Sequence, residues 1–459
     1  MMMMKVEVES RKMIKPVTAT PSELRSYKIS IIDELNPSMH VIRILYYPSS
    51  DSAAAGKLSI INLEESLARI LPLFYPLAGR YIKEKHMVDC NDEGAEFSVA
   101  SVDCDLLTVT GGGGGGGGGS SADNLNHLLP LEIGAADEPT DPILALRINK
   151  FRCGGVAIGV CASHRISDSA SLGIFLTALA DAAAGRESAV IKPDFDSPVF
   201  FPSENLPPLD FGVSRTRDTS VVCERFLFDK NAISILRDTA NPEWRSSAGR
   251  PPSRVVVVST VLTQALLRAD RAKNGGVSRA SLIAQAINVR ERTIPPVSKH
   301  AWGTWVSLSY LEHTAEQTNH SLEVDEYPGL VRKMRETTMQ GVKDCPRILS
   351  DKEFGRWVLV DSYFDAAKKA SSPDYKVIWI TDWSKFGEYE LDFGFGKPVW
   401  VSLADVPLQD LFILMNTKHN DGIEAWVYLH ESDMPFFRQE YEDIVKTMLI
   451  ADPKIHANN

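Results

Sequence analysis

Cysteine is scarce in this chain: six in 459 residues. No pair of them forms a C-x-x-C, which argues against zinc ribbons and thioredoxin-type redox chemistry. The scatter of Cys90, Cys104, Cys153, Cys161, Cys223 and Cys345 predicts free thiols in a reducing compartment. The chain also lacks any apolar run of about 18 residues, so no membrane span is expected. Its opening, MMMMKVEVESRKMIK, has no apolar core of signal-peptide length, and a cytoplasmic location is expected. Basic excess is missing too. With 49 bases against 60 acids the formal charge is −11, which argues against general nucleic-acid binding. A local basic patch for a small polyanion stays compatible with that balance. There is no H-E-x-x-H, and no second histidine at ligand spacing from His164, so no metal site is expected. There is no G-x-S-x-G nucleophile elbow, and no repeat at solenoid periods.

What is present is ordinary globular material, 44% hydrophobic and 24% charged. At about 150 residues per domain the length predicts two or three units. Residues 25–48 alternate in patches and read as strands, as do Gly79–Ile82 and Ala95–Val99. Leu58–Leu71 has Leu63, Leu67, Ile70 and Leu71 at helical spacing and stops near Pro72. The nine glycines Gly111–Gly119 read as a flexible loop, since no strand and helix flank them as a phosphate cradle requires. Val156–Ala162 reads as a buried strand and Ser169–Ala184 as a buried helix. Residues 192–220 have no period and read as a crossover. This places halves at 1–195 and 221–459 with a linker at 196–220. Val255–Val258 reads as a four-valine strand, followed by a helix over Ser259–Arg271 with Ser259 or Thr260 as its cap. Strands are expected at Lys376–Thr381, Val399–Leu403, Leu411–Met415 and Ile423–Leu429, then a helix over Met434–Ile450.

The chemistry concentrates at Ser163-His164-Arg165-Ile166-Ser167-Asp168. If the strand runs to residue 164, Val160, Ala162 and His164 share one face while Cys161 and Ser163 point to the other. Neither is then placed as a nucleophile for His164. A catalytic His164 would deprotonate a substrate group directly, since imidazole is largely neutral at cellular pH; the other reading is a core histidine. Asp168, four residues on, either orients the ring as in a triad or braces the turn by pairing with a distant arginine, for which Arg290 is a candidate. Downstream, Asp392-Phe393-Gly394-Phe395-Gly396 contains a D-F-G, but residue 166 is Ile where a kinase needs Asp, and Val156-Ala157-Ile158 is followed by Gly159, not Lys.

Together these residues resemble the plant BAHD acyltransferases, marked by H-x-x-x-D (His164 to Asp168) and D-F-G-W-G (Asp392 to Gly396). The likeness extends in order along the chain: Tyr75-Pro76-Leu77-Ala78-Gly79-Arg80, Val88-Asp89-Cys90-Asn91, Gly94-Ala95-Glu96-Phe97, Ser259-Thr260-Val261-Leu262-Thr263, Asn288-Val289-Arg290 with Pro295-Pro296, Thr381-Asp382-Trp383 and Asp421-Gly422-Ile423-Glu424-Ala425. Ser169 stands where a glycine is usual, Phe395 where tryptophan is usual, and Ala301-Trp302-Gly303 departs from the usual G-N segment. The first two departures resemble a branch that acetylates alkaloid alcohols.

The resemblance implies an α/β fold of two chloramphenicol-acetyltransferase-like domains, each a mixed sheet with flanking helices, with an active-site channel at their interface. It implies acetyl-CoA or another acyl-CoA as co-substrate, with no permanently bound cofactor, and a small-molecule alcohol as acceptor. The expected partners include neither nucleic acid nor membrane, and a monomer is expected. His164 is implied as general base and Trp383, through its indole N–H, as oxyanion donor, unless Trp383 is simply packed. Ser259 and Thr260 are candidate cofactor-binding residues, unless they only cap their helix. Arg250, Arg254, Arg268, Arg271, Lys273 and Arg279 make that region basic, as coenzyme A phosphates or a solvated face would require. Asp392, Gly394 and Gly396 are implied to be structural, the glycines allowing a tight turn and Asp392 pairing with a base. The acceptor pocket is expected near Tyr27, Leu35 and Trp302. Another acyl donor, a terpenoid, phenolic or volatile acceptor, or a non-catalytic binding protein of the same fold remain as alternatives.

Overall fold

The β-rich runs assemble into two large mixed sheets, seen in a computed structural model that describes residues 4–49, 53–111, 120–121, 125–132, 138–207, 209, 220–241, 251–323 and 326–450. Eight of the nine glycines at 111–119, and Arg250, lie outside the described residues. The first sheet has six strands in the spatial order Val6–Ile14, Ala95–Val102, Leu144–Phe151, Val156–Ser163, His40–Tyr47 and Trp400–Ser402. Only the second and third of these run parallel. The second sheet has seven, in the order Val306–His313, Ala280–Asn288, Tyr375–Asp382, Leu411–Asn416, Ile423–His430, Val221–Phe228 and Ser120–Ser121. A small sheet joins Ser26–Lys28, Met87–Asp89 and Arg80–Ile82. The architecture is the mixed α/β, two-sheet-domain arrangement that the resemblance implies.

Each large sheet takes one strand from the other end of the chain. Val399–Leu403 does form a strand, Trp400–Ser402, but it closes the edge of the first sheet against Tyr46, Leu45 and Ile44. There the Trp400 ring stacks on Tyr46 with centroids 4.8 Å apart. The short Ser120–Ser121 strand pairs with Glu224 and Arg225 of the second sheet.

Helix Ser169–Ala183 packs with helix Ala53–Ile70 over the first sheet. Leu63, Leu67, Ile70 and Leu71 are all buried, as their spacing predicts. Over the second sheet lie Arg254–Lys273, Tyr327–Asp344 and Met434–Ile450. The first of these corrects the expected valine strand. The helix starts at Arg254, capped by Ser253, whose hydroxyl accepts from Val256 N at 3.1 Å. Val256, Val257, Val258 and Val261 pack into one apolar core, and that burial outweighs the few tenths of a kcal/mol by which β-branched residues disfavour a helix. The first strand, Val6–Ile14, escaped the sequence reading because it is an almost wholly exposed edge.

Candidate active site

The strand Val156–Ser163 is buried along nearly its whole length and delivers His164 into a turn between the sheets. That turn is fixed from several sides. His164 N donates to Met39 O at 2.9 Å, and Ser167 Oγ donates to Ser163 O at 2.8 Å. Arg165 reaches Glu34 O at 3.1 Å and Asn36 O at 2.7 Å. The Asn36 amide donates to His164 O at 3.3 Å and to Thr304 Oγ1 at 2.6 Å, tying the turn to the far half of the chain. The imidazole itself is half-buried and lines a cavity of about 200 Å³.

Asp168 opens helix Ser169–Ala183 as its N-cap, accepting from Ser171 N at 2.7 Å. Its carboxylate is gripped by Arg290 through a two-pronged contact, 2.7 Å to Oδ2 and 3.0 Å to Oδ1, and also accepts from Trp305 N at 3.1 Å. Arg290 reaches on to Ala301 O and Gly303 O. Of the two sequence readings for Asp168, this geometry is the brace. Burial opposes ionisation of Asp168, but the Arg290 charge and these hydrogen bonds hold its pKa below the ordinary value.

His164 has its pKa lowered, chiefly by burial, with its own main chain and the Asp168 charge acting the other way. The neutral, proton-accepting ring is therefore the resting form at neutral pH. The expected kcat/KM profile rises with pH as the imidazolium is lost and reaches half its plateau below pH 6.5, the ordinary value. A half-point above that value, in a profile taken with a fixed acceptor, contradicts the assignment.

The cavity walls come from both halves: Leu35, Asn36, Met39 and Val41 on one side, Ala284, Ala286, Thr304, Tyr363, Trp379, Thr381 and Trp383 on the other. Leu35 is where the sequence places it, but Tyr27 and Trp302 are not on the wall. Both are buried in an aromatic cluster with Phe74, Tyr75 and Phe195. Trp383 does line the cavity, yet its indole N–H already donates to Thr381 Oγ1 at 3.0 Å, which corrects the picture of a free indole donor.

Ser259 and Thr260 are also corrected. They lie in the second turn of helix Arg254–Lys273, 1% and 0% exposed, off the cavity wall, with Thr260 Oγ1 donating to Val256 O at 2.8 Å. The basic side chains around them are already engaged: Arg254 with Asn416 and Asn420, Arg268 with Leu322 O, Arg271 with Gly276 O, Lys273 with Asp433 and Arg279 with Asp270. A different cleft adjoins the cavity through Ala170, Asn288 and Phe386, and it carries Arg292, Lys299, His300 and Lys385. No spacing rule joins these four residues in the sequence. Among the described residues no group of three or more His, Cys, Asp or Glu side chains is placed to hold a metal ion.

The Asp392–Gly396 turn stands off the cavity wall. Asp392 Oδ1 accepts from Gly394 N at 2.8 Å and Gly396 N at 2.9 Å, with both glycines at φ near +100°. The expected base does appear, but Arg186 holds the Asp392 carbonyl oxygen, at 2.8 Å, while the carboxylate caps its own turn. Phe393 and Phe395 stack on each other and meet the edge of Tyr47 from the first sheet.

Known proteins place this geometry. The model of the Transferase family matches residues 4–444. A pelargonidin-glucoside malonyltransferase of Salvia splendens is 33% identical over 96% of this chain and 99% of its own. Stemmadenine O-acetyltransferase of Catharanthus roseus is 32% identical over 96% and 98%. The crystal structure of vinorine synthase superposes with a TM-score of 0.78 at 30% identity, covering 96% of this chain and 98% of that one. With the ordered motifs, the two-sheet fold and the histidine on a shared cavity, the chain belongs to the Transferase family of BAHD acyltransferases and is an acyl-transferring enzyme.

Proposed function

We propose that this enzyme moves an acetyl group from acetyl-CoA to the hydroxyl of an apolar specialised metabolite, foremost an alkaloid alcohol. The observation that carries the choice of donor is the cavity wall. Among the described residues it includes no Lys or Arg, and two buried cations beside it, Arg290 and Arg43, are committed to Asp168 and Glu388. A malonyl carboxylate buried there would lose its hydration with no cation to offset the loss, a penalty of several kcal/mol. The likeness to an alkaloid acetyltransferase supports the same choice. The cleft with Arg292, Lys299, His300 and Lys385 suits the phosphates of coenzyme A, leaving the thioester to extend inward past Ala170.

In the ternary complex His164 takes the proton of the acceptor hydroxyl as its oxygen attacks the thioester carbon. The carbonyl electrons pass to oxygen, and the tetrahedral intermediate collapses. The C–S bond breaks, and the departing thiolate receives the proton from His164. No acyl-enzyme is required.

The test pairs the purified protein with acetyl-CoA, malonyl-CoA and a hydroxycinnamoyl-CoA, against alkaloid alcohols, terpenoid alcohols and glucosides, read by thiol release and product mass. Acetylated alkaloid is the expected product. Preferred malonylation of a glucoside overturns the donor and acceptor together. Coenzyme A binding without turnover on any acceptor overturns the acetyl-transfer reading altogether.

A further inference from the structure

A cavity that strips water from its ligand must answer every charge on its own wall. The wall that holds His164 carries two carboxylates, Asp168 and Asp382, and among the described residues no Lys or Arg. Asp168 is answered by Arg290. Asp382 has no such counterpart. Among the described residues it forms no ion pair, and its carboxylate accepts one hydrogen bond, from Ser384 N to Oδ1 at 2.9 Å. The rest of that wall is mostly apolar, with Trp379, Ile380, Phe386 and Ile413 along it.

The carboxylate is also held in place. Asp382 ends strand Tyr375–Asp382, opposite Leu414. The turn after it is pinned: Trp383 N donates to Leu414 O at 2.8 Å, and the Asn416 amide holds Ser384 O. Asn416 is itself fixed by Arg254, which donates to its Oδ1 at 3.1 Å. Oδ1 of Asp382 therefore serves the turn, and Oδ2 has no donor among the described residues. The side chain is half-buried, and a ligand filling the cavity takes away the water that hydrates it. A neutral ligand leaves that anion uncompensated. One that brings a protonated amine offsets the loss with a charge-assisted hydrogen bond. The Trp379 indole on the same wall favours the same guest, because a ring face attracts an ammonium group.

We infer that Asp382 is a specificity-determining residue whose carboxylate pairs with a protonated aliphatic amine of the acceptor, so that the enzyme selects alcohols carrying a basic nitrogen away from the hydroxyl that His164 deprotonates. This deepens the acetyl-transfer reading and rests on it. The pairing moves no proton and forms no covalent bond. It favours the charged form of the nitrogen, which has no lone pair to attack the thioester, and leaves the hydroxyl as the nucleophile.

The experiment is steady-state kinetics on the full-length enzyme with saturating acetyl-CoA and two acceptors: the best tertiary-amine alcohol of the panel above, and the lactam made from it, which keeps the shape and removes the charge. Wild type is expected to prefer the amine about ten-fold or more in kcat/KM. That comparison needs no variant to fold. Asp382→Asn keeps the size and an oxygen for Ser384 N. It should raise the KM of the amine about ten- to hundred-fold, the range for a hydrogen bond to a charged group, with kcat within a few-fold. The KM values of the lactam and of acetyl-CoA should stay as they are. Asp382→Glu should recover part of the preference. A wild type that handles the two acceptors alike or prefers the neutral one overturns the proposal and leaves acetyl transfer standing. So does an Asp382→Asn enzyme that weakens amine and lactam equally, or that changes only its choice of donor. A wild type that binds acetyl-CoA but acetylates neither these acceptors nor any other alcohol overturns both.

Discussion

Replacing His164 with alanine is expected to lower turnover by about 10²–10⁴-fold while acetyl-CoA still binds. The ring lines the cavity from the end of a buried strand, and the main chain carrying it is held by Met39 and Asn36 independently of the side chain. Truncation therefore removes the base and leaves the turn standing. Binding of acetyl-CoA, followed by calorimetry, should change by less than a few-fold, since the phosphate site proposed above is the separate basic cleft. An enzyme that keeps more than about a tenth of its rate after His164→Ala has its base elsewhere. If acetyl-CoA binding disappears as well, the loss is one of folding, and a thermal melt separates the two.

Arg290→Leu is expected to act on the fold before it acts on the chemistry. It strands the Asp168 carboxylate, a group 4% exposed, with only the backbone N–H groups of Ser171 and Trp305 to answer it. Breaking a buried pair from one side destabilises by about 3–5 kcal/mol. The readout is the urea midpoint together with soluble yield. The same pair carries a pH signature. Because the folded Asp168 pKa is depressed, its stabilisation is complete above the ordinary carboxylate value of 3.8 and is lost as the pH falls through the folded value. A stable Arg290→Leu protein with dead chemistry gives Asp168 a role in orienting His164 instead.

Much of this molecule is legible from periodicity and motif order. Val156–Ser163, Ser169–Ala183 and Met434–Ile450 stand within a residue of where apolar runs place them, because burial on both faces or one stripe leaves a strong pattern. The valine run at 255–258 misleads because β-branched residues favour strands locally, and only the surrounding core makes them helical. His164 and Asp168 are legible as a spaced pair, yet nothing local shows which arginine answers Asp168; Arg290 is 122 residues away. Asn36 and Thr304 carry no signal at all, since they meet only through the fold, 268 residues apart. Arg43 does leave a trace, a lone charge inside the apolar run His40–Tyr47, the kind of residue that a buried strand tolerates only with a partner waiting.

The traded edge strands bear on how this enzyme can be cut and rebuilt. A gene ending at the crossover would yield a first sheet whose His40–Tyr47 border is bare, with Trp400 absent and Tyr46 uncovered, an inviting surface for aggregation. Each large sheet carries an edge strand from the other portion, so melting is expected to run as one transition. Chimeras between relatives should survive only when the donor segment brings its own Trp400–Ser402 along with the strand that receives it.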